Sequence, residues 1–443
     1  MATWRNWSGS VVATPAEILR PSSTAELCQR VAEARNVRVV GAGHSFMPLC
    51  ETDGLLLNLE DMTGEIEVAP DRASAWIPAG WPIRRVTQAL WAEGLSLSNQ
   101  GDIDKQAIAG ALSTGTHGTG RTLGSLSTMA IAFELVMADG QIVHCDQEAE
   151  PELFQAQRLG LGMLGVMHRV RMSVVPAFHL KEIIRRAPLA EILESWDDLA
   201  ARHRHVEFFV FPYAEYVLLK TLDPMDSGDD PTPPDPTRWV FQAACDLVAA
   251  LPPLAAPVQR LLTRGLSPST RTAPAWRIFP SERDIRFEEM EGEIPAAAGP
   301  DALRAAMAEV RRRDFPIIFP FEFRTVAADD IWLSPMNAGP CVSISFHQYA
   351  KMPWREAFAA VEGVFQAAGG RPHWAKRHSL TAEDVLRLYP MARRWGEARR
   401  AADPEGKFMN AHLRELFAFS LEGASARHAP SRAASRARKL KTA

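Results

Sequence analysis

The 443-residue chain has no stretch of about 18 uncharged apolar residues, the length that spans a bilayer. Its most apolar region, residues 241–262, is broken by Asp246 and by Pro252, Pro253 and Pro257. The opening Met1-Ala-Thr-Trp-Arg-Asn-Trp7 has no apolar core of signal-peptide length. A basic excess is missing too: Lys+Arg total 49 against Asp+Glu 53, a net charge of -4. That argues against a nucleic-acid partner held by a bulk basic surface. The five cysteines (28, 50, 145, 245, 341) are odd in number, widely spaced and without a C-x-x-C, so neither a disulfide framework nor a zinc ribbon is on offer. No internal repeat is visible. What is present, 47% hydrophobic and 23% charged residues, is an ordinary globular composition with apolar mass for sizeable cores. The expectation is a soluble, cytoplasmic enzyme of two or three domains without stable membrane insertion.

Local patterns then give an order of elements. Ser23 and Glu26 form a capping-box pattern ahead of Leu27, Val31 and Ala34 at helical spacing. A strand over 37–40 stops at Gly41 and Gly43, and a second covers 55–59. Alternation around Ile66, Val68 and Trp76 extends the strand pattern. A helix opening at Pro82 buries Ile83, Val86 and Leu90 and ends at Gly94. From 95 to 128, Gly, Ser, Thr and Asn dominate and periodicity fades; such a long irregular stretch is usually functional. A hairpin around Asp139-Gly140, a helix near 152–159 and a strand over 166–175 follow. After about 178 the composition shifts. Strands are expected over 205–215, 316–325 and 341–349, helices over 239–262 and 301–313, and a loop over 222–237. Residues 421–443, with six Lys/Arg, read as a disordered basic tail.

Three glycine-rich segments compete as ligand loops. Gly160-Leu-Gly162-Met-Leu-Gly165 matches G-x-G-x-x-G, but a helix precedes it and a strand follows, the reverse of a dinucleotide fingerprint. The loop Gly41-Ala42-Gly43-His44-Ser45 sits directly after a strand, where glycines present backbone N–H groups to an anion. The segment Ala109-Gly110-Ala-Leu-Ser113-Thr114-Gly-Thr116-His117-Gly118-Thr-Gly120 is likewise small and hydroxyl-rich. Two such loops in one domain suit a diphosphate cofactor held by backbone amides; each alone is also compatible with a tight turn. His44 and His117 lie inside them, and no further Cys or His cluster completes a metal site. Imidazole in such a loop is a nucleophile that can attach to a flavin methyl.

At these residues the chain resembles the vanillyl-alcohol-oxidase-type flavoproteins, specifically the sugar-lactone and alditol oxidase branch. The resemblance runs from about Asn6 to Phe417. It rests on Arg20-Pro21, Gly41–Ser45, Asn99-Gln-Gly101-Asp102, Thr114-Gly-Thr-His-Gly-Thr119, Gly162-x-x-Gly165-Val166, Glu322-Phe-Arg324, His347-Gln-Tyr349, Arg371-Pro-His-Trp-Ala-Lys376 and Asp403-Pro-x-x-x-Phe408-x-Asn410. It implies an α+β fold: a PCMH-type FAD-binding domain of two subdomains over 1–178. A cap domain over 179–420, with an antiparallel sheet, would return its last segment to the FAD domain. The resemblance further implies FAD joined through His44 by an 8α-N-histidyl bond, with no second cysteine for double attachment. FAD contacts are implied at Gly41, Ala42, Gly43, Ser45, Gly101, Asp102, Ala109, Gly110, Ser113, Thr114, Thr116, His117, Gly118, Gly162, Gly165, Val166 and Asn410.

The substrate side reads from the residues as well. Glu322 and Arg324 share one strand face, as do Ser343, Ser345 and His347. With Lys376 they offer an acid, two cations and an imidazole, suited to a polyhydroxylated substrate with one hydroxyl polarised; an exposed face with a surface ion pair is the plainer alternative. The resemblance makes Glu322, Arg324, Lys376 and His347 the catalytic set. It implies oxidation of a sugar-1,4-lactone (L-gulono-, L-galactono- or D-arabinono-), with electrons passing to O2 or another acceptor. Asp102 stands where alditol oxidases resemble Asn-x-Ala-Ser, and Gly101 stands at the family's oxygen-gate position. A polyol or oligosaccharide oxidase is the alternative, ahead of a flavin-binding protein without turnover or an NAD-dependent dehydrogenase.

Overall fold

Three sheets organise the protein in the computed structural model, which describes residues 2–231, 238–265, 267–281 and 284–421. The first is parallel, in the order Glu17–Leu19, Leu55–Leu57, Val37–Val39. It packs beneath the Thr24–Glu33 helix, whose Leu27 and Val31 are fully buried. Ser23 caps that helix, but the Glu26 carboxylate accepts from Ser22 instead of Ser23, so the capping box is only half formed. The second sheet is antiparallel, with Ala130–Val136 and Val166–Ser173 at its centre and Ser74–Pro78 beside them. The Ile83–Ala92 helix covers it with Ile83, Val86 and Leu90.

The third sheet has eight strands, all antiparallel. Its order is Ser269–Pro274, His179–Pro188, Tyr216–Met225, His205–Val210, Phe321–Val326, Cys341–Tyr349, Phe287–Pro295 and Arg371–Pro372. One face carries Val206, Phe208, Phe321, Phe323, Ile344 and Phe346 and packs on the Gly299–Arg312 and Arg355–Ala367 helices. The opposite face is polar and turns toward the first two sheets: Gly120 N–H donates to Thr325 O at 2.8 Å across the junction. The fold is α+β, as the sequence implied. Helices from Ala382–Leu388 to Ala411–Leu416 return to pack Tyr389, Trp395, Leu413 and Phe417 on Met47, Leu49, Leu159 and Leu164.

Two readings of the sequence need correction here. The stretch 95–128 is not irregular throughout, because Ile108–Thr114 is helical with Ile108, Ala111 and Leu112 buried. Its residues are too small to make an apolar stripe that stands out from the glycines around it. The loop expected from 222 begins later, since the strand Tyr216–Met225 runs through Pro224. Pairing with the His205–Val210 strand ends at Leu222, so from Asp223 onward one edge is unpaired and a proline is tolerated. Residues 232–237 and the basic tail after Leu421 lie outside the described residues. No helix among the described residues is long and apolar enough to cross a membrane.

Candidate active site

A single cleft collects the glycine loops on one wall and the polar sheet face on the other. Gly41, Ala42, Gly43, His44 and Ser45 line it, as do Gly101, Asp102, Ala109, Gly110, Ser113, Thr114, Thr116 and His117. Gly162 and Gly165 line it too. Facing them are Glu322, Arg324, His347 and Lys376, side by side. The loop after Val39 needs its glycines. Gly43 has φ +68, and a Cβ on Gly41 would lie 2.7 Å from that of Ala107. The decoy motif is clamped by Arg38, a buried guanidinium that donates to the carbonyls of Leu49, Leu161, Gly162 and Phe408.

Three expected contacts are not on the cleft wall. Gly118 is needed because a Cβ there would meet Gln100 O at 2.4 Å, so it serves the close approach of two loops. Val166 starts a central strand and packs among Leu27, Val37 and Leu57. Asn410 caps the Ala411–Leu416 helix and donates to Pro48 O at 2.7 Å and Glu51 O at 2.9 Å. It braces the loop after Ser45 from outside.

What the sequence reading missed is a row of acids. Glu289, Glu291 and Glu293 alternate along Phe287–Pro295 and register with His347, Ser345 and Ser343. All three are buried and belong to the polar face. The signal was available in Glu-x-Glu-x-Glu, a period-two pattern. These acids hold the cations in place. Arg324 reaches Glu291 at 2.7 Å, Ser345 Oγ at 3.3 Å and Glu322 at 3.5 Å. Lys376 Nζ lies 2.5 Å from Glu289 and 3.9 Å from Glu291. The Ser343 hydroxyl donates to Glu291. His347 spans from Pro320 O at 3.1 Å to Glu289 at 3.3 Å.

Electrostatics follow from that packing. Burial pushes the Glu289 carboxyl up, but Lys376 and His347 outweigh it and hold it at about 2. Burial opposes charge on Arg324, yet Glu322 and Glu291 raise its affinity for the proton further. His117 places Nε2 at 3.2 Å from both Glu291 and Glu293 and Nδ1 at 2.9 Å from Gly118 O. Burial works against the imidazolium, but the two carboxylates raise its pKa to about 10. His44 is the opposite case. Burial first, then Lys376 and Lys105, lower it to about 4, so its ring is neutral near pH 7; it stacks on Trp7 at 5.3 Å. His117, Glu291 and His373 do bring ligand atoms within 4.8 Å. Both His117 nitrogens donate, however, which leaves no lone pair for a metal.

Comparison with known proteins places this cleft in a lineage. Residues 170–416 match the D-arabinono-1,4-lactone oxidase family and residues 15–146 match an FAD-binding domain. The chain belongs to the D-arabinono-1,4-lactone oxidase family. It is 36% identical to an L-gulono-1,4-lactone dehydrogenase of Mycobacterium tuberculosis, covering 93% of this chain and 98% of that protein. To the L-gulonolactone oxidase of Bos taurus it is 30% identical over 94% of this chain and 98% of the relative. An alditol oxidase of Streptomyces sp. is 29% identical over 93% of this chain and 98% of its own length. The crystal structure of cholesterol oxidase from B. sterolicum has the same fold, with a TM-score of 0.77 at 15% identity, covering 95% of this chain and 96% of that one.

The cleft of this family member fits FAD on its own geometry. A Cβ on Gly110 would meet no protein atom within 4 Å, so the helix surface there opens into the cleft. Gln157 lines the wall with both amide atoms buried and without a hydrogen-bond partner. Buried polar atoms are normally satisfied, so these two point to a polar ligand.

Proposed function

We propose that this protein oxidises a secondary hydroxyl of a sugar 1,4-lactone, at C2 beside the lactone carbonyl. The observation that carries the reading is Arg324 and Lys376, each fixed by a buried carboxylate, on the wall opposite the glycine loops. FAD, when bound, supplies the acceptor for the hydride at N5. The chain's residues do the rest. Arg324 and Lys376 stabilise alkoxide character on the reacting oxygen, because two cations in a water-poor cleft act far more strongly than in solvent. Glu322 and His347 orient the substrate's other hydroxyls, and Glu289 and Glu291 keep the cations from swinging away. The same proposal takes residues 1–178 as the FAD-holding unit and 179–420 as the cap, in a cytoplasmic enzyme. O2 or another acceptor takes the electrons, with Gly101 leaving room for O2.

His44 is the attachment point in this reading. Its neutral ring is the nucleophilic form, and joining it to the flavin's 8α-methyl would release two protons, one from the methyl and one from the ring N–H, with two electrons passing to the terminal acceptor. Acid-precipitated protein should stay yellow, and His44→Ala should release its flavin to the supernatant. A colourless wild-type pellet sinks the covalent link. For the substrate, the anaerobic protein is mixed with aldonolactones and with xylitol, and flavin bleaching is timed. Faster bleaching by xylitol would favour the polyol reading instead.

A further inference from the structure

The charged face of the eight-stranded sheet does not stop at the cleft. One strand beyond Arg324, on His205–Val210, lies Glu207, registered with Arg324 on one side and Lys220 on the other. It is 2% exposed and is not part of the cleft wall. Asp102 and Glu322, which are on that wall, bring their carboxylate oxygens to within 4.8 Å of those of Glu207 and of each other. Such a spacing is bridged directly or by one water. On the far side Lys220 Nζ sits 2.9 Å from Glu207 and 3.7 Å from Glu182, and Glu182 accepts from Arg271 at 2.8 Å.

Two buried carboxylates, Glu207 and Glu322, and the partly buried Asp102 therefore face two cations, Arg324 and Lys220, with Glu182 drawing on Lys220 as well. Like charges this close in a dry setting favour holding a proton. Burial, with Asp102 and Glu322 adding to it and Lys220 and Arg324 opposing, lifts Glu207 to about 7. His205, on the same strand, is buried and held neutral, since burial lowers it to about 3. Glu289 is held low by Lys376 and His347, whereas Glu207, despite Lys220, is poised to change charge near neutrality.

We propose that Glu207 is the proton-holding residue behind the active site, taking by way of Glu322 or Asp102 the proton that the oxidised hydroxyl gives up. The inference rests on the hydroxyl-oxidation reading above. In that step the carbinol C–H bond breaks with its electron pair leaving to FAD as hydride. The O–H bond breaks, the C=O bond forms, and the hydroxyl proton ends on the carboxylate cluster. Once product leaves, the proton returns through the opened cleft to water. Glu207 touches neither substrate nor cofactor and is not a catalytic residue in the strict sense.

The test uses the flavin-loaded full chain and its Glu207→Gln variant. Infrared difference spectra across pH should show one protonated-carboxyl band that disappears through about pH 7 in the wild type and is missing in the variant. Anaerobic flavin bleaching by the best lactone should rise about tenfold per pH unit below that point and level off above it, as expected for a base that must be ionised. In the variant the rise should be lost while flavin content and KM stay near wild type. If Glu207→Gln does not fold, Lys220→Met replaces it, and the band should then move to higher pH. A band that persists unchanged in Glu207→Gln overturns the proposal. So does a titration abolished by a chelator, which would mean a bound cation in place of a shared proton. Loss of the band with no bleaching by any lactone or polyol would instead sink the hydroxyl-oxidation reading, and the transfer step with it.

Discussion

Lys376 and Arg324 are held by carboxylates that face away from solvent, so each is a fixed charge and not a mobile one. Replacing either by a neutral side chain, Lys376→Met or Arg324→Ala, should slow flavin reduction about 10²–10³-fold, roughly 3–4 kcal/mol of lost transition-state stabilisation. Flavin content should be unchanged, because neither side chain belongs to the glycine loops; stopped-flow absorbance and the flavin-to-protein ratio measure both. The glycines separate by the same logic. Gly110→Leu should fill the open cradle and give folded protein without flavin, read as a normal melting curve with no flavin absorbance. Gly118→Ala should do the reverse and destabilise the fold, since its methyl group meets backbone 2.4 Å away. At this scale the sequence was largely legible for residue types and poorly for their addresses. Gly118 and Gly110 stand in one run of small residues, and only the approach of Asn99-Gln100 distinguishes a packing glycine from a ligand-facing one.

At the scale of elements, the strand Phe287–Pro295 is where the sequence reading fell short. Three glutamates on a buried face look like a solvated edge until the partners are known, and those partners are 33 to 176 residues distant in sequence. His117 joins this strand to the glycine-rich segment 109–120 by an ion pair to Glu291 and Glu293. Burying an imidazolium between two carboxylates is tolerable only while all three are present, so His117→Ala should cost on the order of 3–5 kcal/mol. The sign with pH is set by the raised pKa. The link contributes fully below the unfolded value near 6.5 and is lost as pH rises through about 10. Thermal melts of wild type and His117→Ala should therefore differ most below pH 6.5 and converge above pH 10; a constant difference would refute the assignment.

Across the whole molecule, the returning C-terminal helices make the halves interdependent. Trp395 is fully buried, meets the Phe417 ring at a tilt of 43° with centroids 5.0 Å apart, and donates to Ala156 O at 3.1 Å. Its loss removes core from both the first and the last parts of the chain. Trp395→Ala should lower stability by about 3–5 kcal/mol and still unfold in a single transition, checked by following tryptophan fluorescence and flavin release together. Two separate transitions would show that the halves are independent.

Sequence alone determined the class of element at most positions, because period-two and 3.6-residue alternation are local consequences of where side chains point. It also supplied two glycine-rich loops and four charged or imidazole side chains that come together on one cleft, since their residue types are constrained by chemistry at short range. Only the tertiary structure decided which acids balance which cations, that His117 is charged while His44 is neutral, and that Val166, Gly118 and Asn410 support the cleft from behind. Those outcomes depend on burial and on the register between strands far apart in the chain. Charge in a protein interior is settled by neighbours that only folding brings together.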